Sequence, residues 1–188
     1  MKILTEDEVK TNKEVILEVI RNGTIFIHPT DTIYGLGCNA ESEDCVDDVR
    51  DIKERADSPF SVIAPSKEWI LENCIVNGEG KEWIDKLPGP YTLILRSKKG
   101  VAKNVAPGHD TLGIRMPDHW FSEIVRELGI PVVTTSANKS GENFMTSLDN
   151  LDDDIKESIE FIIYEGEKHG HPSTIVDLTG EKAIVRKR

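Results

Sequence analysis

Apolar residues recur at helical spacing at Val15, Ile16, Val19 and Ile20 and the run stops at Gly23, which predicts an amphipathic helix closed by a glycine. A short apolar run over 24–28 then predicts a strand. Ser42 precedes a second helical stripe, Cys45, Val46, Val49 and Ile52, so a Ser-capped helix ending near Lys53 is expected. Residues 60–64 predict another strand, and further helices are expected after Ser66 and over 82–87. The stiff Pro88-Gly89-Pro90 turn stops the second of these. Strands follow over 91–95 and 112–116. Asp118 is expected to cap a helix carrying Phe121, Ile124, Val125 and Leu128 that closes at Gly129, after which 132–135 re-enters the sheet. The tail predicts a helix over 151–158 and strands over 161–164, 174–177 and 183–186. The last two are joined by a connection of hairpin length, Leu178-Thr179-Gly180-Glu181.

Helices and strands therefore interleave, and short connections require antiparallel neighbours. The expected fold class is α/β, a mixed sheet with surrounding helices, in one domain over 1–188. Two of the apolar runs empty into hydroxyl-rich segments. The first is Pro29-Thr30-Asp31-Thr32-Ile33-Tyr34-Gly35-Leu36-Gly37 and the second is Thr134-Thr135-Ser136-Ala137-Asn138-Lys139-Ser140-Gly141. Strands that end in Thr, Ser, Asn and Gly present hydroxyls and backbone N–H groups beside a rigid sheet, which suits a small polar or phosphorylated ligand. Thr30 suits turn capping and ligand binding equally, whereas Thr32, beside the turn into Tyr34, favours ligand. Gly35-Leu36-Gly37 reads as a glycine turn; its Gly-x-Gly alone is too weak for a dinucleotide fingerprint, and no phosphate-loop consensus is present.

Composition narrows the ligand rather than the fold. A net charge of −11 over 188 residues argues against a broad basic face for gripping nucleic acid. The acidic residues concentrate over 41–51 and 149–160, while Lys53, Arg55, Arg115, Arg186 and Arg188 fall near candidate strand ends or the terminus. Lys53 and Arg55 could straddle a phosphate or carboxylate, or form a solvated pair. Arg115, inside an apolar run next to Pro117, needs an anion or a carbonyl to offset its desolvation. Thr134, Ser136, Asn138 and Ser140 fall on alternating positions, where donors could hold phosphate or ribose.

Other chemistry finds less support. Cys38, Cys45 and Cys74 lack metal spacing; Cys45 belongs on a buried stripe, and Cys38 follows the glycine turn. His169 and His171 could offer two metal ligands but have no partners at recognisable spacing, so no protein metal site is expected. No hydrolase elbow is present. No apolar run has the length of a membrane span and the N-terminus does not resemble a secretory signal, so a cytoplasmic location and no membrane partner are expected.

Several stretches in order carry a resemblance. The Pro29 to Gly37 segment, Lys53-x-Arg55, Leu87-Pro88-Gly89-Pro90-Tyr91-Thr92, Gly113-Ile114-Arg115-Met116-Pro117-Asp118, the Thr134 to Gly141 segment and Ser173-Thr174-Ile175-Val176-Asp177-Leu178 together resemble the Sua5/YrdC/YwlC family of L-threonylcarbamoyladenylate synthases. The resemblance implies a YrdC-like twisted mixed sheet with a concave cleft. It implies formation of threonylcarbamoyl-AMP and pyrophosphate from L-threonine, bicarbonate and ATP, with Mg²⁺ riding on the phosphates, for modification of adenosine 37 in tRNA. Thr32, Arg115, Thr134 and Ser173 would then hold threonine. Arg55, Ser58, Thr111, Ser136, Asn138, Ser140, Phe144 and Arg186 would face ATP, and Lys53 with Arg55 would neutralise charge at the reacting phosphate. The chain departs from the family at Ala56, where a proline is usual, and in a stretch to Pro59 one residue shorter than usual. The alternative is a YrdC-like nucleotide- or RNA-binding module with little synthase activity. Docking to tRNA or to a tRNA-modifying enzyme complex is left open, and the sequence sets no oligomeric state.

Overall fold

The computed structural model describes residues 1–187, so Arg188 lies outside the described residues. The chain opens with β1 (Lys2–Leu4), α1 (Glu6–Thr11), α2 (Lys13–Arg21), β2 (Phe26–His28) and β3 (Gly35–Gly37). It continues through α3 (Glu43–Ile52), β4 (Ser61–Ile63), α4 (Lys67–Asn73), β5 (Cys74–Ile75), α5 (Gly80–Asp85), β6 (Tyr91–Ser97) and β7 (Thr111–Arg115). The last third holds α6 (Phe121–Leu128), β8 (Val132–Ser136), α7 (Asp153–Ser158), β9 (Phe161–Ile163), β10 (Thr174–Asp177) and β11 (Ile184–Arg186). The strands form one path, β1-β9-β2-β3-β8-β4-β7-β6-β10-β11, with β5 paired to β6 beside it. Parallel pairs such as β4 with β7 occur beside antiparallel ones such as β3 with β8, so the sheet is mixed, as expected.

Side chains alternate between the two faces of a strand, and here that alternation decides where the site lies. One face is covered along its length. Ile27, Leu36, Val133, Val62, Ile114 and Leu93 pack there against the buried stripes of α3, α4, α5 and α7. The opposite face is covered only toward β1. Phe26, Phe161, Ile63 and Val132 pack against Val9 of α1, Ile16 and Ile20 of α2, and Phe121, Ile124, Val125 and Leu128 of α6. Further along that face no helix among the described residues lies over Thr134, Ser61, Gly113 and Thr92, whose small or polar character would be a poor core but suits a wetted floor.

The caps follow local chemistry. Ser42 and Ser66 accept the N–H groups of Cys45 and Trp69, and α6 ends on Gly129 at φ 76°. Three expectations need correction. Asp118 does not cap α6, which begins after Trp120 without a side-chain cap; the Asp118 N–H instead donates to Asp31 Oδ2 at 3.0 Å. Gly35-Leu36-Gly37 is a strand rather than a turn, and its glycines make room for the His28 ring, which a Cβ on Gly35 or Gly37 would meet at 2.8 and 2.9 Å respectively. Finally, β1, α1 and β5 lie where no element was expected; α1 buries only Val9, too little to mark a stripe.

Candidate active site

The open half of the sheet forms the floor of a cavity whose space, open mouth included, is ≈ 670 Å³. Gly35, Thr134, Ser61 and Thr92 provide the floor. Gly113 keeps it low between Ser61 and Thr92: an added Cβ there would stand 2.9 Å from Ser61 Oγ and 3.3 Å from Thr92 Cγ2. Arg115 stands at one end, at the close of β7, and Arg55 at the other, on the loop after α3.

Arg115 is buried and held from the first hydroxyl-rich segment. Its Nη2 donates to Asp31 Oδ1 and to Thr32 Oγ1, each at 2.9 Å. Both side chains of the Arg115–Asp31 pair are less than a tenth exposed, so each charge depends on the other for its desolvation to be offset. Thr30 caps its own turn, donating to Ile33 O at 2.7 Å and accepting from the Thr32 N–H at 3.1 Å. Thr32 thus sits behind Arg115 rather than on the cavity wall.

The segment over 164–173 closes the Arg115 end. Tyr34 donates to Gly166 O at 2.8 Å and accepts from the Glu165 N–H at 3.0 Å. The Glu165 carboxylate meets His119 Nε2 at 3.0 Å, Trp120 Nε1, and Lys168 Nζ at 3.1 Å. Burial opposes the Glu165 charge, but Trp120, His119 and Lys168 together hold its pKa below the usual range. Gly170 lies against the Thr32 carbonyl so closely that a Cβ would stand 2.0 Å from its oxygen. Beyond it Ser173 enters the cavity, its hydroxyl 2.7 Å from that of Thr92.

At the other end the basic pair divides. Arg55 reaches the cavity wall and donates to Pro59 O at 3.2 Å. Lys53 is buried behind the second hydroxyl-rich segment, its Nζ donating to Ser136 O at 2.5 Å and Asn138 O at 2.6 Å. Burial, and then the neighbouring Arg55, push the Lys53 ammonium down to about 7.

Of the expected site residues, Arg55, Arg115, Thr134, Ser136, Phe144 and Ser173 line this one cavity. Lys53 and Thr32 support it from behind. Thr111 shares the face of β7 with Gly113 and Arg115 but lies at the start of the strand, at the opposite end from Arg115. Ser58 and Ser140 are exposed, and Asn138 Nδ2 donates to Lys139 O and Glu142 O, both at 2.8 Å, bracing its own loop. Arg186 is exposed on the edge strand β11, opposite Ile175. The sequence assigns no site role to Gly35, Ser61 and Thr92; the period-2 pattern of small residues on facing strands is visible only once the register is known. Cys38 is fully buried, and burial pushes its thiol well up. Among the described residues, no group of three His, Cys, Asp or Glu side chains is placed to hold a metal ion.

Comparison with known proteins agrees with this fold. A family model for Sua5, YciO and YrdC proteins, described as "Telomere recombination", matches residues 18–188. The chain belongs to the Sua5/YciO/YrdC family. It is 40% identical over 185 residues to a putative threonylcarbamoyl-AMP synthase of Methanocaldococcus jannaschii, covering 96% of this chain and 87% of the relative. It superposes on a crystal structure of Pyrococcus abyssi Sua5 complexed with L-threonine at a TM-score of 0.86 and 33% identity, covering 98% of this chain and 56% of that one. The chain therefore spans about half the length of the Pyrococcus protein. Escherichia coli YciO shares the fold, with a TM-score of 0.85 at 22% identity over 94% of its chain. No helix among the described residues is long and apolar enough to cross a membrane.

Proposed function

We propose that this protein forms threonylcarbamoyl-AMP and pyrophosphate from L-threonine, bicarbonate and ATP. The observation that carries the reading is the pair of arginines, Arg115 and Arg55, at opposite ends of a floor of hydroxyls and glycine on an otherwise acidic protein. Arg115, with Thr32, Thr134 and Ser173, takes the threonine end, where its fork meets the α-carboxylate. Arg55 takes the triphosphate, with Lys53 behind it and Ser136 and Phe144 toward the nucleotide. Ser58, Thr111, Asn138, Ser140 and Arg186 lie outside the cavity wall and serve the nucleotide only through its outer parts or through the loops that hold it. Mg²⁺ enters as part of the nucleotide substrate.

The chemistry asks for positioning and charge rather than a side-chain nucleophile. The threonine amine takes up bicarbonate, losing water, to give a carbamate; a carbamate oxygen attacks the α-phosphorus and pyrophosphate leaves with the bonding pair. Attacking and leaving groups are both anionic, so fixed cations and aligned substrates account for the rate. No covalent enzyme intermediate is needed. The test combines ATP, Mg²⁺, L-threonine and bicarbonate and follows pyrophosphate together with threonylcarbamoyl-AMP. Product that requires all four components supports the reading. Threonine-independent ATP hydrolysis alone, or full turnover by both Arg55→Ala and Arg115→Ala, contradicts it. The product's destination, tRNA or an enzyme complex that modifies it, belongs to the same proposal.

A further inference from the structure

We infer that Arg50, on the buried stripe of α3, is a positioning residue that fixes the nucleotide-facing Arg55 through the main chain around it. The inference rests on the assignment of Arg55 to the triphosphate. Arg50 is 6% exposed and occupies a position that Val46 and Val49 would suggest is apolar. Its acceptors are all main-chain carbonyls. Nη1 donates to Arg55 O and Ala56 O, both at 2.9 Å, and to Ser58 O at 3.2 Å. Nε and Nη2 donate to Asn104 O at 2.8 and 2.5 Å, and Nη2 also to Val105 O at 3.2 Å. One guanidinium thereby ties the loop after α3 to the turn before β7. Its Cζ lies 4.4 Å from the centre of the Phe60 ring, and the Cζ of Arg55 lies 5.5 Å from the same ring.

For the core alone an apolar side chain here would serve better, because a buried guanidinium must have its donors filled. What the arginine adds is order outside the core. Residues 56–59 are exposed and belong to no helix or strand, so apart from the bonds of Arg55 to Arg50 O and Pro59 O and of the Phe60 N–H to Val105 O, the segment that carries Arg55 to the cavity wall rests on the Arg50 contacts. Fixing each residue of a free loop costs conformational entropy, which would otherwise be drawn from ligand binding. A planar fork with five donors can hold the carbonyls of Arg55, Ala56 and Ser58 on one side while reaching Asn104 and Val105 on the other; a lysine ammonium, with three donors at a single point, cannot span both.

The test is a double-mutant cycle on the full chain, with ATP–Mg²⁺ and L-threonine affinities measured separately by calorimetry. Arg50→Met should weaken ATP about ten- to a hundredfold and leave threonine within about twofold, because Arg115 and Thr32 are held from other elements. Arg50→Lys should fall between Arg50→Met and wild type. In the background of Arg55→Ala, Arg50→Met should cost little further ATP affinity. Independent, multiplying losses in that cycle overturn the inference, as do unchanged ATP affinity or equal losses for both ligands. If neither Arg50 variant folds by circular dichroism, the residue is structural only and the inference fails. A wild-type chain that binds ATP but makes no threonylcarbamoyl-AMP sinks the proposed function while leaving the cycle readable.

Discussion

Arg115 illustrates how a single side chain joins stability to recognition. Its position inside an apolar run, beside Pro117, is enough to say that it needs an anion; the partner, Asp31, is 84 residues away, and nothing local in the sequence pairs them. Asp31 uses its other oxygen to accept the Asp118 N–H, so the carboxylate fixes both the arginine and the chain leaving β7. Replacing Arg115 with Met should therefore leave a buried carboxylate uncompensated and cost roughly 3–5 kcal/mol in urea unfolding. The double variant Asp31→Leu/Arg115→Met should recover part of that loss. If the single variant is as stable as wild type, the pair is not the support described here. Threonine affinity should fall about ten- to a hundredfold in both, since a charge-assisted hydrogen bond contributes about 1.5–3 kcal/mol.

At the scale of elements, two features carry predictions. The C-terminus of α3 turns through Glu54 at φ 51°, a left-handed position normally given to glycine, with the Arg55 N–H donating to Arg50 O and the Glu54 N–H to Asp51 O, both at 3.0 Å. Glu54→Gly should stabilise the chain by about 1 kcal/mol, because its ion pair with Lys139, at 3.3 Å, is mostly exposed on the Glu54 side and worth little. A lowered unfolding midpoint would contradict the strain argument. The second feature is the strap over 164–173. Gly170→Ala would press a methyl group onto the Thr32 carbonyl, a backbone atom that cannot swing away. The strap or the Thr32 turn must shift, so threonine binding should weaken about tenfold or more, together with a loss of roughly 1–3 kcal/mol in stability. Unaltered threonine affinity would separate the strap from the site. The helix stripes at Ile16 and Ile20, Cys45 to Val49 and Phe121 to Leu128 were legible because apolar spacing reports which side meets a core. The strap was not, because its order comes from Tyr34, Glu165 and Lys168 meeting across the fold.

For the whole molecule, the half-covered sheet sets both the site and the response to acid. His28 lies fully buried, its ring stacked on Phe121 at 4.8 Å and lying across the two glycines of β3. Burial pushes its pKa down to about 3 from 6.5, so between those values the unfolded chain binds a proton that the native chain excludes. Stability should then rise with pH through that window, by roughly 2 kcal/mol from pH 5 to 6.5, and this contribution is fully present above 6.5. Urea midpoints across the range provide the measurement. A His28→Leu chain, less stable but without the imidazole, should lose this part of the slope; an unchanged slope would assign acid sensitivity to other groups.

The sequence by itself determined the helices with strong apolar stripes, most of the strands, the mixed α/β class and the two hydroxyl-rich segments flanking a basic pair. These are local matters, settled by periodicity, caps and the cost of burying charge. Only the tertiary structure decided which face of each strand is covered. Because α1, α2 and α6 reach only as far as Ile63 of β4 and Val132 of β8 on one face, Thr134, Ser61 and Thr92 become a binding floor rather than misplaced polar residues. The same packing turned Gly35-Leu36-Gly37 from an expected turn into a strand under His28, sent Lys53 behind the cavity while Arg55 reached its wall, and gave Arg50 the carbonyls of a loop that no spacing rule connects to it. Chain-distant contacts of this kind have no periodic signature, since they depend on register and on which helix lies over which strand.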